Sequence, residues 1–363
     1  MTTTVPRPPE STPVRRRILR LAAAVTTPLL PDDYLDLVAP LRSGADLRGR
    51  IVAVRPETRD AATVVIKPGR DWRGHVPGQY VRLGVDVDGV RQWRAYSVTS
   101  APGRRHDPIT ITVKAIPDGV VSNHLVRRVR PGTIVHLDQA QGDFVLPAAV
   151  PARVLLVTAG SGITPVMGML RSGVLAGADV TLVHSAPTPA DVVFGTELRD
   201  LAAAGALRLV ERHTDRDGQL TAADLAGIVP DHLDRETWAC GPIGLLDALE
   251  EHWTAAGRPE RLHTERFRPT VISPGEGGTV TFGRTGVTVD ADGGTPLLDA
   301  GEAAGVLMPS GCRMGICYGC VLPLRQGAVR DLRNGALTTA VPGDGVLIQT
   351  CVSAAAGPCD LDH

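Results

Sequence analysis

The sequence predicts a multidomain protein in three parts: an antiparallel β-barrel, an α/β domain on a parallel sheet, and a small α+β module at the C-terminal end. Three observations carry this. Short β-type runs separated by Gly, Pro and Asp fill residues 46–149; apolar strands alternate with amphipathic helices over 150–268; and four of the six cysteines gather at unequal spacing downstream. At 363 residues the chain is too long for one core, since a domain usually takes ~100–200 residues.

Residues 1–45 read as an N-terminal extension. Its Pro/Thr/Ser-rich start has the composition of a disordered segment, and VRRRILRLAAAVTTPLLPDDYLDLV after it has short apolar stretches broken by Pro31. Arg15 to Arg20 is locally basic. That segment is a solvated arm or a helix packed on the next domain, or else a peripheral contact with an anionic membrane or an acidic partner. No apolar run reaches the ~20 residues of a spanning helix, and the first residues lack a signal-peptide core, so a cytoplasmic protein is expected. With 38 Lys+Arg against 39 Asp+Glu there is no global basic field, and nucleic acid is not expected as a partner.

Between 46 and 149 the runs IVAVR, ATVVI, QYVRLGV, RAYSVTS, ITITVKAI and TIVHL have the length and punctuation of strands in a small antiparallel barrel. At Arg153 the rhythm changes. RVLLVTA, DVTLVHS, LRLVERH and ETWACG read as buried strands; TPVMGMLRSGV, FGTELRDLAAAG, TAADLAGI (with Thr221 as N-cap) and PIGLLDALEEHW read as the helices between and after them. Such a βαβ series makes a parallel sheet whose carboxyl edge forms a nucleotide crevice. Residues 269–277 form a Pro/Gly linker. In 278–363, TVTFG and VTVD read as a hairpin, and TPLLDAGEAAG as a helix capped by Thr295 with Pro296 at its first position.

The cysteines carry the most specific chemistry. Cys312, Cys317 and Cys320 stand in a C-x4-C-x2-C loop, and Cys351 follows on an apolar strand, VLIQTC. This is the plant-type spacing of thiolate ligands for a 2Fe–2S cluster. Gly311, Gly315 and Gly319 let the loop wrap closely, so that backbone N–H groups reach the inorganic sulfurs. A structural zinc site is the competing reading, but zinc loops pair C-x2-C with a second C-x2-C or with histidines, and none lies here. Cys359 reads as a free thiol.

Within the barrel, Arg94, Tyr96 and Ser97 share one strand, and Gly119, Val120, Val121 and Ser122 open a helix. A flavin needs a cation and helix-start N–H groups for its phosphates, and an aromatic neighbour and a donor for its ring; these two stretches supply all four. In the next domain Gly160, Ser161, Gly162, Ile163 and Thr164 make a glycine-rich turn from strand to helix. Cys240, Gly241 and Pro242 follow another parallel strand toward the same crevice, where a nicotinamide nucleotide fits. Cys240 either influences hydride transfer or is simply a small buried residue.

Taken together with PGQY, these motifs resemble the ferredoxin-NADP reductase family over residues 46–268, and the C-terminal module resembles the β-grasp plant-type ferredoxin fold. The resemblance implies an NAD(P)H-dependent oxidoreductase with FAD, FMN being the alternative used by phthalate dioxygenase reductase-like proteins. It implies Arg94 at the pyrophosphate, Tyr96 and Ser97 along the isoalloxazine, Gly119 to Ser122 on phosphate oxygens, and Lys114 in the same groove. Thr164 and the Cys240-Gly241-Pro242 turn would frame the nicotinamide, with Glu265 and Phe267 near the flavin; Ser97, Thr164 and Cys240 are then the catalytic candidates. The resemblance to the ferredoxin fold further implies that one iron would be held by two of the clustered cysteines and the other by the remaining pair. Tyr318 departs from the small residue that follows the second cysteine in most relatives.

Electrons would run from NAD(P)H through the flavin to the cluster and on to a partner. The leader TTPLLPDDYLDLVAPLRS resembles that of reductases serving membrane-bound fatty acyl-CoA desaturases; a terminal oxygenase is the other acceptor expected. A redox-sensing protein with little turnover is the rival from another class, and the hydride-donor motifs argue against it. The choice between NADH and NADPH stays open: His184-Ser-Ala-Pro187 lacks the arginine that many phosphate-selecting relatives carry there, while Arg212 and Arg216 stand on a neighbouring loop.

Overall fold

The structure is a computed structural model that describes residues 38–104, 106–117, 119–267, 274–311, 313–315 and 318–363. The basic segment and most of the leader lie outside the described residues, as do Cys312 and Cys317. The last part of the leader docks on the barrel, where Ser43 Oγ and the Gly44 amide both donate to the Asp71 carboxylate.

Six strands build the barrel: β1 (Arg48–Thr58), β2 (Ala61–Pro68), β3 (Tyr80–Val87), β4 (Val90–Ser97), β5 (Ile109–Lys114) and β6 (Ile134–Leu137). Their order is β4-β3-β6-β1-β2-β5, every pairing is antiparallel, and a bridge from Val98 to Ile111 joins the two outer strands. Alternate residues point inward, as the two-residue period of a strand requires, so Val64, Ile66, Val81, Leu83, Val85, Ile111 and Val113 form the core. Val121 and Leu125 of helix α1 (Val120–Arg127) are buried in the same core.

The second domain contains β7 (Arg153–Ala159), β8 (Asp179–Ala186), β9 (Arg208–His213), β10 (Glu236–Cys240) and β11 (Leu262–Glu265), with α2 (Ile163–Arg171), α3 (Gly195–Ala203), α4 (Ala222–Ile228) and α5 (Ile243–Ala255). All five strands are parallel, in the order β11-β10-β7-β8-β9. The chain therefore leaves β7 toward β8 and later returns to β10 on its other side, and the crevice at that reversal is where ligands bind in sheets of this kind. Each face of the sheet is covered: Leu156 packs with Ile163, Val166 and Met167, while Leu155 and Val157 pack with Leu246, Leu249 and Trp253. Thr221 caps α4 as expected, in a capping box with Asp224.

The third domain runs through β12 (Gly278–Phe282), β13 (Val287–Ala291), α6 (Leu297–Ala303), β14 (Val321–Asp331), β15 (Leu337–Ala340), β16 (Leu347–Gln349) and β17 (Ser353–Leu361). The sheet order is β13-β12-β17-β14-β15, with β16 paired to β14. β12 and β13 form the expected hairpin, whereas β12 and β17 are parallel.

Two local expectations are corrected here. Thr295 does not cap α6: its hydroxyl donates to the Asp292 carboxylate, which also takes the amides of Gly294 and Thr295, and Pro296 occupies the N-cap. Cys351 is not on a strand; β16 ends at Gln349, and Cys351 lies in the turn that follows. Among the described residues no helix is long and apolar enough to cross a membrane.

Candidate functional site

Helix α2 joins barrel to sheet. Gly168, in its second turn, lies so close to the Val98 carbonyl that a β-carbon would collide with it, and Arg171 Nη1 donates to the Thr99 carbonyl at 2.8 Å. Arg171 is itself fixed by a two-pronged bond to Glu197 and by the Phe194 ring, 4.7 Å from its guanidinium. The end of β4, carrying Ser97, is thereby held against the helix whose first turn carries Thr164.

Ser97 is buried, and its Oγ has no hydrogen-bond partner among the described residues. An unpaired buried hydroxyl costs stability unless a ligand completes it. Tyr96 is partly accessible, but burial still pushes its phenol upward, with Arg94 opposing. Arg94 donates Nη1 to the Trp93 carbonyl, its one hydrogen bond among the described residues, which leaves most of its five donors for a ligand. Burial lowers the Arg94 pKa, and Arg313 adds repulsion, against attraction from Glu302, Tyr96 and Asp299. Arg313, between Cys312 and Cys317, is therefore near enough to be felt at Arg94, a neighbour that spacing alone did not reveal.

Gly119 is the N-cap of α1, and Val120, Val121 and Ser122 form its first turn, whose amides have no acceptor within the helix. Ser122 Oγ and Asn123 Nδ2 both donate to the Gly119 carbonyl, at 3.2 and 2.9 Å. The Ser122 hydroxyl thus braces the turn. Lys114 sits at the end of β5 with its ammonium 3.4 Å from Asp60. Across the seam, His184 Nδ1 meets Thr158 Oγ1 at 2.8 Å; burial, with His213 and Lys114 nearby, pushes that imidazole down to about 4.

In the sheet domain, Gly160 takes φ +54° and starts a short turn that leads directly into α2. Thr164 Oγ1 donates back to the Ser161 carbonyl at 3.0 Å and closes that turn. Gly162 presses on the Cys240 carbonyl, and Gly241 packs on Ala159, so the two turns singled out in the sequence meet as one surface. Pro242 caps α5 behind them.

Beside this surface Cys240 and Glu265 occupy adjacent positions on parallel strands. Cys240 is 0% exposed, and burial raises its thiol pKa, with Glu265 adding to the effect. Burial also pushes the Glu265 carboxyl up to about 8, and its Oε2 has no partner among the described residues. Two neutral, desolvated groups therefore stand at the carboxyl edge of the sheet. Phe267 follows, partly exposed.

Of the four cysteines expected at the metal, Cys320 and Cys351 lie within the described residues, and both are buried in the core of the third domain. Thr350 joins their segments: its amide and its Oγ1 both donate to the Cys320 carbonyl, at 3.3 and 2.9 Å. Positive φ at Arg313, Gly315 and Tyr318 curls the chain that leads into Cys320. Two buried thiols on segments tied at this point, under a curled loop, fit a thiolate-ligated cluster. Cys359 is a free, buried thiol on β17, pushed up to about 11 by burial and Asp360. The spacing argument also passed over Arg333 and Gln349, which reach the loop from far along the chain, and Asp331, which holds Arg333; none follows a ligand pattern.

Known proteins align with this arrangement domain by domain. Residues 58–146 match the oxidoreductase FAD-binding domain, 156–262 the oxidoreductase NAD-binding domain, and 280–356 the 2Fe-2S iron-sulfur cluster binding domain. An NADPH oxidoreductase of Mycobacterium tuberculosis is 52% identical, over 94% of this chain and 91% of its own. The ferredoxin reductase component of 3-ketosteroid-9-alpha-monooxygenase from the same species is 31% identical, over 88% and 93%. The solved structure of phthalate dioxygenase reductase superposes with a TM-score of 0.59 at 22% identity, covering 87% of this chain and 97% of that one, and so shares the fold. The protein is an NAD(P)H-dependent oxidoreductase that uses FAD and a 2Fe–2S cluster, and it belongs to the ferredoxin reductase-like family, in the branch that carries its ferredoxin domain at the C-terminal end.

Proposed function

We propose that the chain delivers electrons from NADPH to a terminal oxygenase. The observation that carries the reading is the convergence of Ser97, Thr164 and the Cys240–Glu265 pair on one crevice, with Arg313 of the cysteine loop near enough to Arg94 to repel it. FAD held there would supply the exchange between two-electron hydride chemistry and one-electron transfer, and a 2Fe–2S cluster the one-electron exit.

The residues of the chain hold and orient. Ser97 would donate a hydrogen bond from its unpaired Oγ–H to the flavin ring, Tyr96 would flank that ring, and Arg94 with the first turn of α1 would bind the phosphates. Lys114 supports the same groove from the end of β5. The turn Gly160 to Thr164 offers backbone N–H groups to the dinucleotide, and Cys240, Gly241 and Pro242 form the wall against which the nicotinamide lies. Cys240 and Glu265, both neutral, exclude water and charge from that wall. Cys312, Cys317, Cys320 and Cys351 ligate the cluster.

The preference for NADPH rests on Arg212 and Arg216. Arg212 lies opposite Ser185 in the β8/β9 register and donates to the Asp217 carbonyl; its Nε has no partner among the described residues. Arg216 is largely exposed and pairs with Asp217. Both cations stand at the carboxyl edge of the sheet, where a 2′-phosphate would add a bidentate acceptor. The 52% identical relative is an NADPH oxidoreductase.

An oxygenase acceptor is supported by relatives that are reductase components of monooxygenases. The leader resemblance favours a membrane-bound acyl-CoA desaturase instead, with cytoplasmic protein touching the membrane through Arg15 to Arg20. Reconstitution with each class of acceptor, reading NADPH-coupled product, separates the two. Within the chain, Cys317→Ser should abolish cytochrome c reduction and spare ferricyanide reduction; equal loss of both would contradict an exit through the cluster. Stopped-flow mixing with NADPH should bleach the flavin rapidly, and a failure with both nucleotides would leave a redox sensor as the better account.

A further inference from the structure

The loop that carries Cys312, Cys317 and Cys320 is gripped from the far side of its domain. The carbonyl of Gly315 accepts two hydrogen bonds at 2.9 Å, one from Arg333 Nη1 and one from Gln349 Nε2. Arg333 is fixed in turn by Asp331: Nε and Nη2 donate to its two carboxylate oxygens at 3.1 and 2.7 Å, and the Arg333 amide donates to Oδ1 at 2.9 Å. Arg333 Nη2 also reaches Gln349 Oε1 at 3.2 Å. Gly315 has φ +73°, and a β-carbon there would lie 2.9 Å from Val352 Cγ1 and 3.0 Å from the guanidinium carbon. No side chain fits between loop and arginine. Gln349 is two residues before Cys351, so the network ties the segment of the fourth thiol to the loop of the other three.

Charge accompanies this geometry. Arg333 bonds Gly315 inside the ligand loop and Gln349 two residues before Cys351, so its cation, paired with Asp331, stands beside the segments that carry the thiols. When a 2Fe–2S cluster accepts one electron from the flavin, no bond forms or breaks and the site gains one negative charge. A fixed cation nearby favours the reduced form, and a carboxylate beside that cation offsets part of the effect.

We propose that Arg333 is a positioning residue of the iron–sulfur site, clamping the ligand loop through Gly315 and, in balance with Asp331, setting how readily the cluster takes its electron. This rests on the proposed ligation by the four cysteines. The two side chains of the pair act with opposite sign: removing the cation makes reduction harder, removing its carboxylate makes it easier. Loss of packing alone would not produce that reversal.

The experiment uses the full chain with flavin and cluster loaded anaerobically, iron quantified, and the reduced cluster counted by electron paramagnetic resonance at a fixed solution potential. Arg333→Gln should lower the ratio of reduced to oxidised cluster roughly tenfold, the effect of a unit charge at contact range in a partly solvated site. Asp331→Asn should raise the ratio several-fold. Gln349→Ala, which removes a donor to Gly315 without changing charge, should broaden the resonance and leave the ratio within about twofold. Should Arg333→Gln fail to retain iron, Asp331→Asn still decides, since a rise supports the assignment and an unchanged or lower ratio overturns it. Shifts of the same sign in both charge variants, or of neither at full iron content, also overturn it. Wild-type protein without iron would instead sink the ligand assignment beneath.

Discussion

The α-carbon of Gly162 lies against the carbonyl of Cys240, with no space for a methyl group between them. The first and second glycine turns of the nucleotide crevice are therefore one rigid body. Gly162→Ala should destabilise the protein by roughly 1–3 kcal/mol, the usual cost of overpacking. It should also raise the KM for the pyridine nucleotide while flavin content stays near one per chain. Thermal unfolding and steady-state kinetics on the same sample check both.

Glu265 gives the protein a pH signature. Its carboxyl is pushed up to about 8 in the fold, from the ordinary 4.5, so the folded state keeps a proton that the unfolded chain releases. Stability from this group is fully present below about 4.5 and declines as pH rises to about 8, after which it is flat. The slope is at most ~1.4 kcal/mol per pH unit. Glu265→Gln should remove it, so the melting-temperature gap between variant and wild type should widen in favour of the variant from pH 5 to 8.

Ser97→Ala separates folding from function. The buried hydroxyl has no partner among the described residues, so the cofactor-free variant should be as stable as wild type or up to ~1 kcal/mol more so. Flavin reduction by NADPH, followed by stopped-flow absorbance, should slow by roughly tenfold or more with loss of one donor to the ring.

Arg313, which is paired with Asp299 and Glu302, still repels Arg94, and attraction from Glu302, Tyr96 and Asp299 offsets part of that repulsion. A diphosphate at Arg94 would supply the missing negative charge. Arg94→Ala should weaken FAD binding by about two orders of magnitude, as expected for losing a charge-assisted contact of ~3 kcal/mol. Fluorescence titration of the cofactor-free protein measures the loss.

NADPH preference can be read in a ratio. Arg212→Ala combined with Arg216→Ala should raise the KM for NADPH roughly tenfold or more and leave the KM for NADH nearly unchanged. Parallel initial-rate measurements with the two nucleotides check it, and an equal rise in both would place the arginines outside the recognition of the 2′-phosphate.

Much of this architecture was legible before any coordinates because each domain announces itself through a different period. Alternation marks the strands of the barrel, buried runs bounded by glycine turns mark the parallel sheet, and the cysteine spacing marks the cluster domain. Local rules failed where a side chain had a better offer nearby. Thr295 looked like a cap, but the Asp292 carboxylate captures its hydroxyl first. Contacts between distant segments were not legible at all. Nothing in R-D-L-R indicates that Arg333 reaches the Gly315 carbonyl, and nothing in R-A-Y-S indicates that Arg313 is felt at Arg94, because both facts depend on how separate elements dock.

Strand β17 lies at the middle of its sheet, parallel to β12 on one side and antiparallel to β14 on the other. It is also the last of these strands to leave the ribosome. Its two neighbours have no common edge until it arrives, so a nascent chain can finish its barrel and its nucleotide fold while the ferredoxin sheet still waits for a centre. Metal delivered before that moment would meet thiols with no enclosing wall. Enclosure of the iron site is in this way tied to the arrival of β17 between its two neighbours.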